Sequence, residues 1–371
     1  RFMHFGQELE SEALIELLRP SGHVRTVLTA DVYGEGEADR LVGRAIADAP
    51  RSEVRLVGAV GHDFYDGARK GAKGFQRFTD PELRGPDAYA DYLRRATEAS
   101  LERCGTDYFD LLLLHNPDRI GYTSEVVWDA MAELRAQGLT KAIGIAPGPA
   151  NGFTLDLLTC FERFGDRIDW AMLILGPLEP WPSRLVLPAC EEYDIKVLSR
   201  VTDYGGMFWG DLRADTPLGE FDHRRFRPDG WVERGLGIVD RIAAVGKTRG
   251  LTPMQTAAHW TLSQPAVHCV VPTMIQELPG SVVPPTPIAE KRRQLDELTI
   301  EKRLTATELQ QITNWGDNAG SMALKGASSV YSGEPQADQW EIGVPQLQAA
   351  RRWGIDPDRE LVKVEEPVEQ V

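Results

Sequence analysis

Tyrosine, histidine and carboxylate residues recur in this chain just after short apolar runs. Asp31 and Tyr33 follow Arg25–Ala30, and His62-Asp63 follows Val54–Val60. His115-Asn116 and then Asp118 follow Phe109–Leu114, and Arg200, Asp203 and Tyr204 stand at or just after the end of Lys196–Val201. His4 lies in the opening run, Arg1–Phe5. A phenol beside an imidazole can move a proton, and histidine suits that work because its unperturbed pKa of about 6.5 lies near operating pH. Tyr33 and His115 are therefore the candidate acid and base, with His62 as helper. His4, Asp31, Asn116, Asp118, Arg200, Asp203 and Tyr204 are candidate substrate contacts. Each also has an ordinary structural reading. Asp118 before Arg119 suits a turn, His115 a hydrogen-bonded wall, and His62-Asp63 a polar loop. His4, His62 and His115 carry ligand chemistry but no metal-site spacing, so no metal is expected.

These residues can meet only if the apolar runs are neighbouring strands. Eight short strands alternate with amphipathic helices along the chain. Helical spacing covers Ala13–Leu18, Glu37–Ala49, Pro86–Cys104, Ser124–Gln137, Leu155–Phe164, Arg184–Tyr193 and Trp231–Arg249. A further helix opens at Thr252-Pro253, an N-cap followed by proline in the first turn. Lys141–Ala146, Trp170–Leu175 and Val267–Pro272 complete the strands. Phe109–Leu114 is almost wholly apolar, which suits a strand buried on both faces. This alternation predicts an α/β fold, a parallel (β/α)8 TIM barrel, in which chemistry sits at the C-terminal strand ends. A doubly wound sheet would more often carry G-x-G-x-x-G after its first strand, and none is present. The expected organisation is a barrel over 1–312 and a loop-rich C-terminal extension over 313–371 that packs on it. The extension holds one helical patch, Pro345–Trp353, and its segment Gly316–Ala327 is placed to cover the mouth. Leu278–Pro287 is proline-rich and reads as a surface insertion.

Composition narrows the function. The chain has 371 residues, is 42% hydrophobic and carries a net charge of −15. That hydrophobic fraction supports a packed core, and the acidic balance argues against a nucleic-acid partner. No apolar run approaches the roughly 20 residues of a membrane span. Cys104, Cys160, Cys190 and Cys269 are widely spaced and form no C-x-x-C pair, which suits reduced thiols in a cytoplasm. The expected partner is a small molecule, with oligomeric state left open. The basic cluster Arg69-Lys70-Gly71-Ala72-Lys73 reads as a solvated loop or as a contact for an anionic substrate group.

Several motifs, in order, resemble the aldo-keto reductases over about residues 1–312. Leu28-Thr29-Ala30-Asp31-Val32-Tyr33-Gly34-Glu35-Gly36 is similar to the family's D-T-A-x-x-Y-G-x-G. Tyr108-Phe109-Asp110-Leu111 through His115-Asn116-Pro117-Asp118 resembles Y-x-D-L-x-x-x-H-x-P-D. Ala132-Glu133-Leu134 through Gly138-Leu139-Thr140-Lys141-Ala142-Ile143-Gly144 resembles the helix, turn and strand that lead to G-V-S-N. Arg224-Arg225-Phe226-Arg227-Pro228 and Val270-Val271-Pro272 match later landmarks.

The resemblance implies a tetrad of Asp, Tyr, Lys and His in which tyrosine protonates a carbonyl oxygen while a nicotinamide gives hydride. Tyr33 and His115 take two of those places. The aspartate position is Leu28 and the lysine position is Ala59, so both members of an ion pair are absent together. Losing one alone would leave a buried charge at a cost of roughly 3–5 kcal/mol. The family's nicotinamide-binding serine and asparagine fall on Ala146 and Pro147, and its glutamine on Met172. A following tyrosine and asparagine fall on Leu175 and Gly176, and the phosphate-binding segment reads Thr273-Met274-Ile275-Gln276-Glu277. A ring without amide partners loses the orientation that hydride transfer needs. The sequence therefore favours nicotinamide-independent acid/base chemistry on a carbonyl- or hydroxyl-bearing, sugar-like molecule: isomerisation, elimination or hydrolysis. Two alternatives stand beside it. One is an NADP-dependent oxidoreductase with a rewired site. The other is a non-catalytic binding or regulatory relative.

Overall fold

The computed structural model describes residues 11–69, 74–148, 153–218, 224, 230–274, 286–298, 304–318 and 342–361. Seven described strands form one parallel sheet in chain order: β1 (Thr26–Leu28), β2 (Arg55–Val60), β3 (Leu111–His115), β4 (Ile143–Ala146), β5 (Trp170–Ile174), β6 (Lys196–Arg200) and β7 (Val267–Val271). An order that never reverses is that of a barrel wall. The two ends of the sheet approach each other, with Cys269 Sγ on β7 3.9 Å from Thr26 Oγ1 on β1. The chain is thus a nearly closed (β/α)8 TIM barrel, and the strand expected at 1–5 lies outside the described residues.

Alternation along the strands divides the core in two. Leu28, Ala30 and Val32 join Val57, Ala59, Leu113, Ala146 and Met172 inside the barrel. Val27, Leu56, Leu112, Leu114, Ile145 and Leu173 face the other way, into the larger core beneath the helices. All five residues of β3 are buried, as its apolar run predicts. The helices that follow β1 to β3 are α2 (Glu37–Ile46), α3 (Tyr89–Cys104) and α5 (Glu125–Ala136). A short helix, α4 (Arg119–Thr123), precedes α5 and is capped by Asp118. The run expected as one helix over Arg184–Tyr193 divides into a 3-10 turn, Ser183–Leu185, and α7 (Leu187–Glu192). Pro188 explains the break, because a residue without an N–H fits only the first turn of a new helix.

On the far side of the barrel lie α6 (Phe153–Phe164), α8 (Trp231–Lys247) and α9 (Pro253–Leu262). Thr252 and Gln255 close a full capping box on α9. Beyond the barrel strands come α10 (Ile288–Asp296), α11 (Ala306–Trp315), α12 (Val344–Arg352) and α13 (Pro357–Glu360). Lys291 on α10 is fully buried and reaches Asp211 at 2.6 Å and the Met274 carbonyl at 2.7 Å. In the extension, α12 packs on α6, where Gln346 Nε2 donates to Asp156 at 2.8 Å. No helix among the described residues is long and apolar enough to cross a membrane.

Candidate active site

Tyr33 sits in the tight turn between β1 and α2. Its N–H donates to Ala30 O at 2.9 Å, and its carbonyl accepts from Ala38 N at 3.1 Å. The residue as a whole keeps 40% of its surface exposed. His115 ends β3, nearly buried. The Tyr33 and His115 rings meet edge to face with centroids 5.7 Å apart. His62 follows β2, and its ring centroid lies 4.8 Å from that of His115. Gly61 makes this approach possible. Its φ is +150°, and a Cβ there would lie 2.9 Å from the His115 carbonyl oxygen. Asn116 comes next in left-handed conformation, φ 44°, with its carboxamide 3.3 Å from His62 Nε2.

Arg200 ends β6, in register with Ile174 on β5 and Val271 on β7. Its charge acts on both members of the pair. Desolvation raises the Tyr33 phenol above its ordinary value, and Arg200 opposes that rise. Burial lowers the His115 imidazole to about 3, helped by the charges of Arg77 and Arg200. Burial, then Arg77 and His115, hold His62 well below the usual histidine value, while the Phe75 carbonyl opposes them. Both imidazoles are therefore neutral at physiological pH. His115 Nδ1 is buried with no hydrogen-bond partner among the described residues.

Tyr33, His62, His115, Asn116 and Arg200 thus converge at the barrel mouth. Four other candidates have different work. Asp31 has odd strand parity relative to Ala30 and Val32, so its carboxyl faces the helix layer rather than the lumen. It is fully buried, and among the described residues neither oxygen has a well-formed hydrogen bond, the Val32 N–H alone lying near enough to favour the carboxylate. Burial and then Asp39 push it well above the carboxylate range, with Arg103 opposing. Asp118 caps α4 through Gly121 N at 2.8 Å and accepts the Thr79 hydroxyl at 2.7 Å, so both its oxygens are engaged. Asp203 clamps two backbones, taking Gly206 N at 3.1 Å and Thr273 N at 2.8 Å. Tyr204 packs edge to face on Trp231 with ring centroids 5.5 Å apart. His4, residues 70–73 of the basic cluster and residues 319–327 of the tail lie outside the described residues.

Two side chains at the site were not singled out from sequence. Arg77 lies in the long loop after β2 and contacts His62 and Asn116. An arginine between Phe75 and Phe78 in an otherwise polar loop was the available signal. Glu179 lines an open cleft together with Pro147, Met172, Ser183 and Arg200. This cleft lies over β4 to β6, with Pro147, Met172 and Arg200 in its lining. Nothing in a lone glutamate after β5 marks it in the sequence.

A parallel barrel with a tyrosine and a histidine paired at its C-terminal mouth is an enzyme-like architecture. The sequence profile of the Aldo/keto reductase family matches residues 14–278, and the chain belongs to that family. It is 27% identical over 286 residues to the versiconal hemiacetal acetate reductase of Aspergillus parasiticus, covering 71% of this chain and 78% of that protein. The glycerol dehydrogenase structure from Gluconobacter oxydans superposes with a TM-score of 0.63 at 19% identity, covering 85% of this chain and 88% of that one. An aldo/keto reductase from Klebsiella pneumoniae, solved in complex with NADP and acetate, superposes with a TM-score of 0.52 at 21% identity, covering 82% and 84%.

Proposed function

We propose that this chain is an oxidoreductase that reduces the carbonyl group of a small molecule with NADP(H). The observation that carries the reading is the Tyr33–His115 pair, set edge to face at the mouth with the Arg200 charge acting on both. This prefers the redox alternative over the nicotinamide-independent chemistry that the sequence favoured. The absent lysine had been the main objection. Arg200 now offers a cation from a different strand whose charge is felt at the phenol. Kinship supports the same choice, since the relatives include a named reductase and a neighbour solved with NADP.

The cleft also suits the cofactor's carboxamide. Such a group needs one hydrogen-bond donor and one acceptor. Arg200 brings donors alone and Glu179, when ionised, acceptors alone, and both line the same cleft. They would hold the carboxamide in place of the amide side chains missing at Ala146, Pro147 and Met172. When bound, the dinucleotide supplies the hydride to the carbonyl carbon.

The chain's own residues handle the proton and the oxygen. The Tyr33 phenol is protonated at neutral pH and would give its proton to the carbonyl oxygen, against the rise that desolvation imposes on it. The Arg200 charge then stabilises the phenolate left behind. His115 is held neutral. A buried orphan N–H is rarer than a buried orphan acceptor, so its proton belongs on Nε2. From there it donates a hydrogen bond to the substrate oxygen and steadies the charge that builds there. The test is NADPH consumption with a panel of small aldehydes and ketones, followed by loss of absorbance. Turnover that vanishes in Tyr33→Phe supports the reading. Turnover unaffected by that change removes Tyr33 from the chemistry.

A further inference from the structure

We infer that Arg77 is a positioning residue of the mouth, which locks His62 as the neutral Nε2–H tautomer and makes it a fixed strut against His115. This assigns His62 a role other than proton transfer. It deepens the reading of the Tyr33–His115 site, yet its main test needs neither cofactor nor substrate.

The argument is a count of donors and acceptors. Arg77 Nη1 lies 3.1 Å from His62 Nδ1. A guanidinium donates and cannot accept, so Nδ1 must be the bare, accepting nitrogen. A neutral imidazole has one nitrogen of each kind, so the proton sits on Nε2. The Asn116 carboxamide lies 3.3 Å from Nε2. Two donors cannot share a ring that has a single acceptor. Asn116 therefore turns its carbonyl oxygen toward Nε2, a choice of amide orientation that the hydrogen-bond network decides.

Arg77 also closes the circuit from behind. Its Nε donates to the Asn116 backbone carbonyl. One side chain thus fixes the His62 ring and the left-handed Asn116, the residue directly after His115. The His62 backbone is held as well, since Tyr92 Oη donates to its carbonyl at 3.2 Å. His115 depends on this rigidity. With no hydrogen bond at Nδ1, its plane is set by contact with His62 on one side and Tyr33 on the other. Burial and the Arg77 charge keep His62 neutral, while the Phe75 carbonyl, which pulls the other way, accepts from the same Arg77 Nη1 at 3.4 Å and so needs no proton from the ring.

The experiment is two-bond proton–nitrogen correlation NMR on protein labelled with nitrogen-15 at its 7 histidines. His62→Gln identifies the signal. The expected wild-type pattern is Nε2–H, unchanged from about pH 8 to about pH 5.5. In Arg77→Leu the two tautomers should average and the ring should titrate at least about one pH unit higher. Arg77→Lys keeps a donor at that place and should restore much of the Nε2–H pattern. With a reducible aldehyde, Arg77→Leu should lower kcat while leaving NADPH affinity unchanged. A wild-type His62 that is Nδ1–H or doubly protonated at neutral pH overturns the assignment. So does a folded Arg77→Leu protein with an unaltered His62 signal. Should Arg77→Leu fail to fold, the wild-type pattern and the Arg77→Lys spectrum decide the matter between them.

Discussion

Tyr33 and His115 approach at right angles, 87° between ring planes with centroids 5.7 Å apart, although they belong to different strand ends. Their contact brings a phenol and an imidazole together at the mouth. Tyr33→Phe removes the proton source and keeps the ring, so it should lower carbonyl reduction about 10²–10⁴-fold. His115→Phe removes a hydrogen-bond donor to the substrate oxygen and should lower it about 10²–10³-fold. NADPH affinity should stay within about twofold in both variants, as judged from nucleotide fluorescence.

Arg200 supplies the charge that opposes the rise in the Tyr33 pKa. In the oxidation of an alcohol, Tyr33 must start as phenolate. Arg200→Met takes away the cation, so the phenol should lose its proton at higher pH than in the wild type. The alkaline rise of the oxidation rate should move to higher pH by about one unit or more, and Arg200→Lys should bring it partly back. A pH–rate profile of alcohol oxidation checks both shifts.

Asp31 is a buried carboxyl with no well-formed hydrogen bond among the described residues, held well above the usual carboxylate range by burial and by Asp39. A raised folded pKa means that the folded protein binds the extra proton. The associated stability is complete below the unfolded value of about 3.9 and is lost as pH rises through the folded value. Asp31→Asn removes that loss. Urea unfolding at about pH 8 should find the variant more stable by about 1–3 kcal/mol, with a smaller gain near pH 5. A destabilised Asp31→Asn protein would mean that the carboxylate has a partner.

Lys291 and Asp211 form an ion pair with both side chains fully buried. Removing one member strands the other in a low-dielectric site. Lys291→Met should cost about 3–5 kcal/mol, and the double change Lys291→Met with Asp211→Leu should recover much of it. Thermal melts of the single and double variants measure the recovery.

The barrel was legible because its strands are short apolar runs between amphipathic helices, a pattern that needs no long-range information. Tyr33 and His115 were legible because each follows such a run at a strand end. Asp31 misled for a local reason. It neighbours Tyr33 in sequence, but side chains alternate along a strand, and its parity points it at the helices. Asp118 and Asp203 misled because capping and clamping use the same carboxylates that could bind substrate. Arg77 was hidden because it reaches the mouth through the fold of a long loop, where spacing carries no signal. Leu28 and Ala59 stand where the resemblance places an aspartate and a lysine, and neither position shows the Arg200 charge, which comes from another strand.

The account turns on whether the mouth still takes a dinucleotide. Titration of the purified protein with NADPH, followed by calorimetry, tests this most directly. The expected result is saturable binding with a dissociation constant on the order of micromolar, weakened about tenfold or more by Arg200→Met and by Glu179→Gln. Absence of binding up to about millimolar NADPH, in protein that is folded by circular dichroism, would contradict the redox reading and return the site to cofactor-free proton chemistry.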